Sequence, residues 1–137
     1  MENFVLLYHF EDEKLEKSFE KQIHDNFPRH RIEENGDFRY FGFAERAEPA
    51  VIDKLNSVLT KQGTSMKDYV ALYSANKENT DNISRHMLVG HDNVLETKVE
   101  NLSFDAHRGS LTRLLDFDYV KHIPNPDRKD QKDQISG

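Results

Sequence analysis

Phe4 to Phe10 is a short apolar run, broken only near His9, and it predicts an interior strand covered at least partly on both faces. After it, Leu15, Phe19, Ile23 and Phe27 recur every four residues, the stripe of a helix that turns one side to a core. Asp12 suits the N-cap of that helix, Glu11 and Glu13 sit at the positive end of its dipole, and Phe27-Pro28 closes it. Two strand-like runs follow, 31–34 and 37–43, joined at Asn35-Gly36, the dipeptide that best tolerates positive φ at both centres of a type I′ turn. With Asn35 and Gly36 as the loop, Glu34 opposes Asp37, Ile32 opposes Arg39 and Arg31 opposes Tyr40. Ile32, Arg39, Phe41 and Phe43 then share one face, and Glu33, Phe38, Tyr40 and Gly42 the other.

A second helix is predicted from Pro49 to Gln62, with Pro49 in the first turn, Gly63 after the end, and Val51, Ile52, Leu55, Val58 and Leu59 on the apolar side. Asp68 to Ala75 reads as a strand in which Tyr69, Ala71 and Tyr73 alternate with Val70, Leu72 and Ser74. The order is then β-α-β-β-α-β, which predicts an α+β fold, a ferredoxin-like βαββαβ sandwich with both helices on one face of the sheet. Asn76 to Ser84 is polar and aperiodic and reads as a loop. Arg85–Gly90 and Val94–Val99 predict a hairpin turning at His91-Asp92-Asn93, and Ser110–Tyr119 a third helix capped by Ser110. The expected organisation is one domain over 1–123 and a flexible polar tail over 124–137. Because the first, third and fourth strands are apolar on both sides, the face away from the two main helices should also be covered, by the segment Arg85–Tyr119 or by a second subunit.

Composition narrows the class. The chain has 137 residues, 36% apolar and 32% charged, which fits one globular domain with a highly charged surface. No run approaches a membrane span, and the N-terminus lacks the basic region of a signal peptide, so a cytoplasmic protein is expected. The absence of cysteine excludes disulfides, thiolate metal sites and a cysteine nucleophile. A net charge of −6 argues against a protein that neutralises phosphates and for a protein partner, with RNA as the disfavoured alternative; self-association as a dimer is expected where a second subunit covers the apolar sheet face.

Candidate chemistry is sparse. No HExxH, Gly-x-Ser-x-Gly or Gly-rich phosphate loop occurs, so no metal and no cofactor is expected. His9, at the end of the first strand, is the best single candidate for a reactive side chain. Asp105, His107, Asp116, Asp118 and His122 lie close enough in sequence to converge, although solvated polar residues around a short helix are the commoner outcome.

Two resemblances add expectations. Arg39-Tyr40-Phe41-Gly42-Phe43-Ala44 resembles the third-strand motif of the RNA recognition motif, which implies that Arg39, Phe41 and Phe43 face and stack on RNA. Over Leu7–Tyr73 the chain is similar to the regulator of ribonuclease activity B family. The matching residues are Tyr8-His9-Phe10, Leu15-Glu16-Lys17, Asn35-Gly36-Asp37, Ile52-Asp53, Asp68-Tyr69 and Tyr73. That resemblance implies a small acidic ferredoxin-like protein that inhibits an RNA-processing endonuclease by binding it. The expected function is therefore a non-enzymatic binding or regulatory domain acting through its sheet, with Tyr8, His9, Arg39, Phe41, Phe43, Tyr69 and Tyr73 as binding residues. The alternatives are RNA binding through Arg39–Phe43, and a small hydrolase or nuclease using His9 or the Asp105–His122 cluster.

Overall fold

The computed structural model describes residues 2–76, 79–90 and 104–123. Its elements are β1 (Glu2–His9), α1 (Glu13–Asn26), β2 (His30–Asn35), β3 (Phe38–Glu45), α2 (Glu48–Gln62), β4 (Tyr69–Asn76), β5 (Asn79–Gly90), α3 (Phe104–Leu115) and α4 (Tyr119–His122). The fold is α+β, around one antiparallel sheet of order β2-β3-β1-β4-β5. Among the described residues no helix is long and apolar enough to cross a membrane.

The predicted ends of α1 and α2 are where the sequence puts them. The Asp12 side chain accepts from the Lys14 amide, and Gly63 ends α2 at φ +83°. The hairpin differs. Asn35 pairs with Phe38 and Ile32 with Phe41, so the loop is Gly36-Asp37 and not Asn35-Gly36. Gly36 has φ +64°, while no other residue type among those described has positive φ, which is the pattern of a type II′ turn with glycine at its first centre. Moving the loop by one residue moves every pair by two. Side chains therefore keep their faces, since only an odd slip inverts them.

Alternation along β1, β3 and β4 divides the core in two. Phe4, Leu6, Tyr8, Phe41, Phe43, Val70 and Leu72 face α1 and α2, where Phe19, Ile23, Val51 and Leu55 meet them. Val5, Leu7, Phe38, Tyr40, Tyr69, Ala71 and Tyr73 face the other way and are covered by Leu111, Leu114 and Leu115 of α3. The second face is thus closed by the chain itself.

Three sequence expectations change. The polar stretch expected to be a loop from Asn76 to Ser84 contains the first half of β5: Ala75 pairs with Ile83 and Asn76 with Asn79. An edge strand held by backbone hydrogen bonds needs no apolar period. The third helix starts at Phe104, so Ser110 is a buried residue inside it and no cap. The chain then breaks at Asp116 and resumes as α4. The expected strand Val94–Val99, its turn at His91-Asp92-Asn93 and the tail 124–137 lie outside the described residues.

Candidate functional site

Four of the seven predicted site residues meet at one end of the sheet, where β1 stops and β3 and β4 start. Tyr8 pairs with Arg39, and His9 with Tyr69. Alternation sends Tyr8 and Arg39 to the α1 side and His9, Phe38 and Tyr69 to the α3 side.

On the α1 side, the Tyr8 hydroxyl donates to Glu20 Oε1 of α1 at 2.6 Å. Arg39 Nε pairs with the same carboxylate, and Arg39 Nη1 lies 2.6 Å from Glu34 Oε1, its cross-strand neighbour in the hairpin. One guanidinium therefore ties the hairpin to α1. Burial, aided by the Glu20 carboxylate, pushes the Tyr8 phenol far above its ordinary value, so it stays a neutral donor. Below these groups the Asp68 carboxylate is fully buried. It accepts from the Glu11 amide at 3.1 Å and the Ser65 amide at 2.7 Å, fastening the β1–α1 loop to the α2–β4 loop.

On the α3 side, His9 Nδ1 donates to the Asp37 carbonyl at 2.8 Å. Because a carbonyl oxygen only accepts, Nδ1 carries a proton. The His9 ring leans on Phe38, and Phe38 meets Tyr69 edge to face at 5.8 Å.

The other predicted residues are elsewhere. Phe41 and Phe43 are completely buried beneath α1 and α2, with Phe27 stacked on Phe43 at 4.1 Å, so the aromatic pair expected to stack on RNA is core. Tyr73 is buried further along β4, opposite Val5. Tyr8 and Tyr69 are fully buried too, which leaves half-exposed His9 and Arg39 as the accessible members of the predicted set. Of the Asp105–His122 cluster, the Asp105 and His107 side chains lie outside the described residues. Asp118 accepts from the Lys121 amide and so caps α4, and the His122 ring rests against Phe117. Among the described residues no three His, Asp or Glu side chains are grouped to hold a metal.

Residues the sequence reading passed over do much of the positioning. Gly42 of β3 leaves the space into which the Tyr119 hydroxyl and Leu114 project: a Cβ there would collide with Tyr119 Oη and lie 3.0 Å from Leu114 Cβ. The Tyr119 hydroxyl donates to the Leu114 carbonyl at 2.6 Å, satisfying itself inside the notch. The Asn3 carboxamide donates to the carbonyls of Leu115 (2.6 Å) and Phe117 (2.8 Å), capping the C-terminal end of α3 from β1. Arg113 reaches Glu33 at 3.0 Å, and the Arg31 guanidinium lies over the Phe117 ring. Apart from the Tyr119–Leu114 bond, these join residues distant in the chain, so no local spacing announces them. Glu34 opposite Arg39 was accessible to sequence reasoning, given the correct hairpin register.

The chain matches no family model, no curated protein and no solved structure. The arrangement at the sheet end is chemically a set of clamps: a carboxylate shared by a phenol and a guanidinium, a buried carboxylate on two amides, and an imidazole held on a carbonyl.

Proposed function

We propose that the chain is a protein-binding regulatory domain without chemistry of its own, built on a ferredoxin-like βαββαβ sandwich extended by β5 and the α3–α4 segment. The observation that carries this reading is what the polar groups at the sheet end are engaged in. Arg39 is held between Glu20 and Glu34, Tyr8 by Glu20, Asp68 by two backbone amides, and His9 by a carbonyl. Each is spent on joining elements of this fold. The strand order β2-β3-β1-β4, with α1 and α2 on one face, supports the sandwich. The net charge of −6 favours a protein over a polyanion as partner. The similarity of Leu7–Tyr73 to the regulator of ribonuclease activity B family suggests the class of partner, an RNA-processing endonuclease inhibited through protein contacts. Direct RNA binding loses its support with the burial of Phe41 and Phe43.

Titrating the purified chain into an RNA-processing endonuclease tests the reading. Dose-dependent inhibition, with a complex of fixed stoichiometry on gel filtration, is expected. Undiminished cleavage and no complex at large excess would contradict it.

A further inference from the structure

The two faces of the sheet are closed in different ways. α1 joins β1 to β2 and α2 joins β3 to β4, each crossing over one intervening strand, so both helices are tied at both ends to strands of the sheet. The α3–α4 segment follows the last described strand and joins no two described strands, so its departure would break none of the described strand pairs. What it leaves behind is a ready-made receptor for a helix. The floor is apolar and aromatic: Val5, Leu7, Tyr40 and Tyr73 among others. Glu33 at the side takes a basic residue. Asn3 takes the carbonyls of a helix C-terminus.

We propose that this second sheet face is the partner-docking surface of the protein, and that α3–α4 occupies it as a displaceable internal ligand. The partner is an amphipathic helix with leucines at i, i+3 and i+4 and a basic residue at i+2, the pattern of Leu111, Leu114, Leu115 and Arg113 that fits the face here. The inference rests on the protein-binding reading and names its surface and the class of its partner. Binding competes with the internal helix, so the apparent affinity is reduced by the fraction of molecules that are open.

The test uses the full chain and a labelled synthetic peptide of residues 104–123 as probe. Leu114→Asp in the full chain weakens its own strap while the peptide keeps the native sequence. The variant should bind the peptide at least about tenfold more tightly than the wild type, through its larger open fraction. A peptide carrying Leu111→Asp and Leu114→Asp should bind neither protein. Equal affinity for both proteins, or no binding to the variant, overturns the proposal. Hydrogen exchange on the unmodified protein gives a second readout that does not depend on the variant folding. The α3 amides should exchange through an opening that leaves the β1 and β3 amides protected. Exchange of α3 only together with β1 and β3 overturns displacement. Neither experiment involves an endonuclease. Failure here removes this surface, whereas failure of the endonuclease titration removes the function.

Discussion

Gly42 shows how a single residue decides what a face can hold. Its strand position is readable from alternation, and its neighbours Phe41 and Phe43 make it look like part of an RNA-stacking motif. Its physical role is to admit Tyr119 and Leu114 against the sheet. Gly42→Ala should therefore cost about 1–3 kcal/mol, the usual range for overpacking a close contact, and should release the Tyr119 side of the segment first. Urea denaturation measures the loss, and an unchanged midpoint would mean that Tyr119 does not sit there. Gly36 matters for a different reason: nothing lies within 4 Å of its missing Cβ, but its φ is +64°. Gly36→Val should cost about 1 kcal/mol or more through backbone strain alone, read as a lower denaturation midpoint. His30 supplies a pH effect. Burial, chiefly, holds its imidazole below the ordinary value of 6.5; the hydrogen bond to the Phe27 carbonyl opposes this, and His24, whose ring is 4.0 Å away, adds to it. Because the folded value lies below the unfolded one, the neutral ring stabilises the fold above the unfolded value, and this contribution is lost as pH falls through the folded value. His30→Phe, which keeps a ring on Phe41, should lose less stability between about pH 7 and about pH 5 than the wild type does. Parallel losses in thermal melts would contradict the assignment.

At the scale of elements, what was legible is what local chemistry controls. The Leu15–Phe27 stripe, the Asp12 cap and the Gly63 end placed α1 and α2 to within a residue or two. The misread elements are those that pairing or packing, and no local apolar period, defines. β5 begins in a polar stretch because backbone pairing with β4, and no apolar face, defines it there. The hairpin turns one residue late because glycine at the first centre suits a II′ turn as well as Asn-Gly suits a I′ turn, and pairing with the body of β3 decides between them. α3 runs from Phe104, and the end of the helix depends on Asn3, about a hundred residues earlier in the chain. Asn3→Ala should leave two carbonyls without their donor and cost about 1–2 kcal/mol. Amide exchange in α3 should speed up more than in α1 or α2. Equal effects on all three helices would show that Asn3 supports the sheet rather than the end of α3.

For the whole molecule, alternation alone required both faces of the sheet to be covered, because Val5, Leu7, Tyr40 and Tyr73 are as apolar a set as Phe4, Leu6, Phe41 and Phe43. Alternation could not say what covers the second face, since a helix of the same chain and one of a second subunit satisfy it equally. The candidate site was legible in the same partial way. Tyr8, His9, Arg39 and Tyr69 do gather at one sheet end, but Glu20, which holds Tyr8 and Arg39, and Asp37, which holds His9, come from other parts of the chain. The structure assigns the cover to α3–α4 of the same chain, with Tyr119 in the Gly42 notch. An isotope-filtered NOE experiment, on a mixture of labelled and unlabelled protein, tests this most directly. A strong NOE between the Tyr119 ring protons and Gly42 Hα within one labelled molecule is the predicted result. Absence of that NOE, or its appearance only between labelled and unlabelled molecules, would contradict a sheet closed on both faces by its own chain.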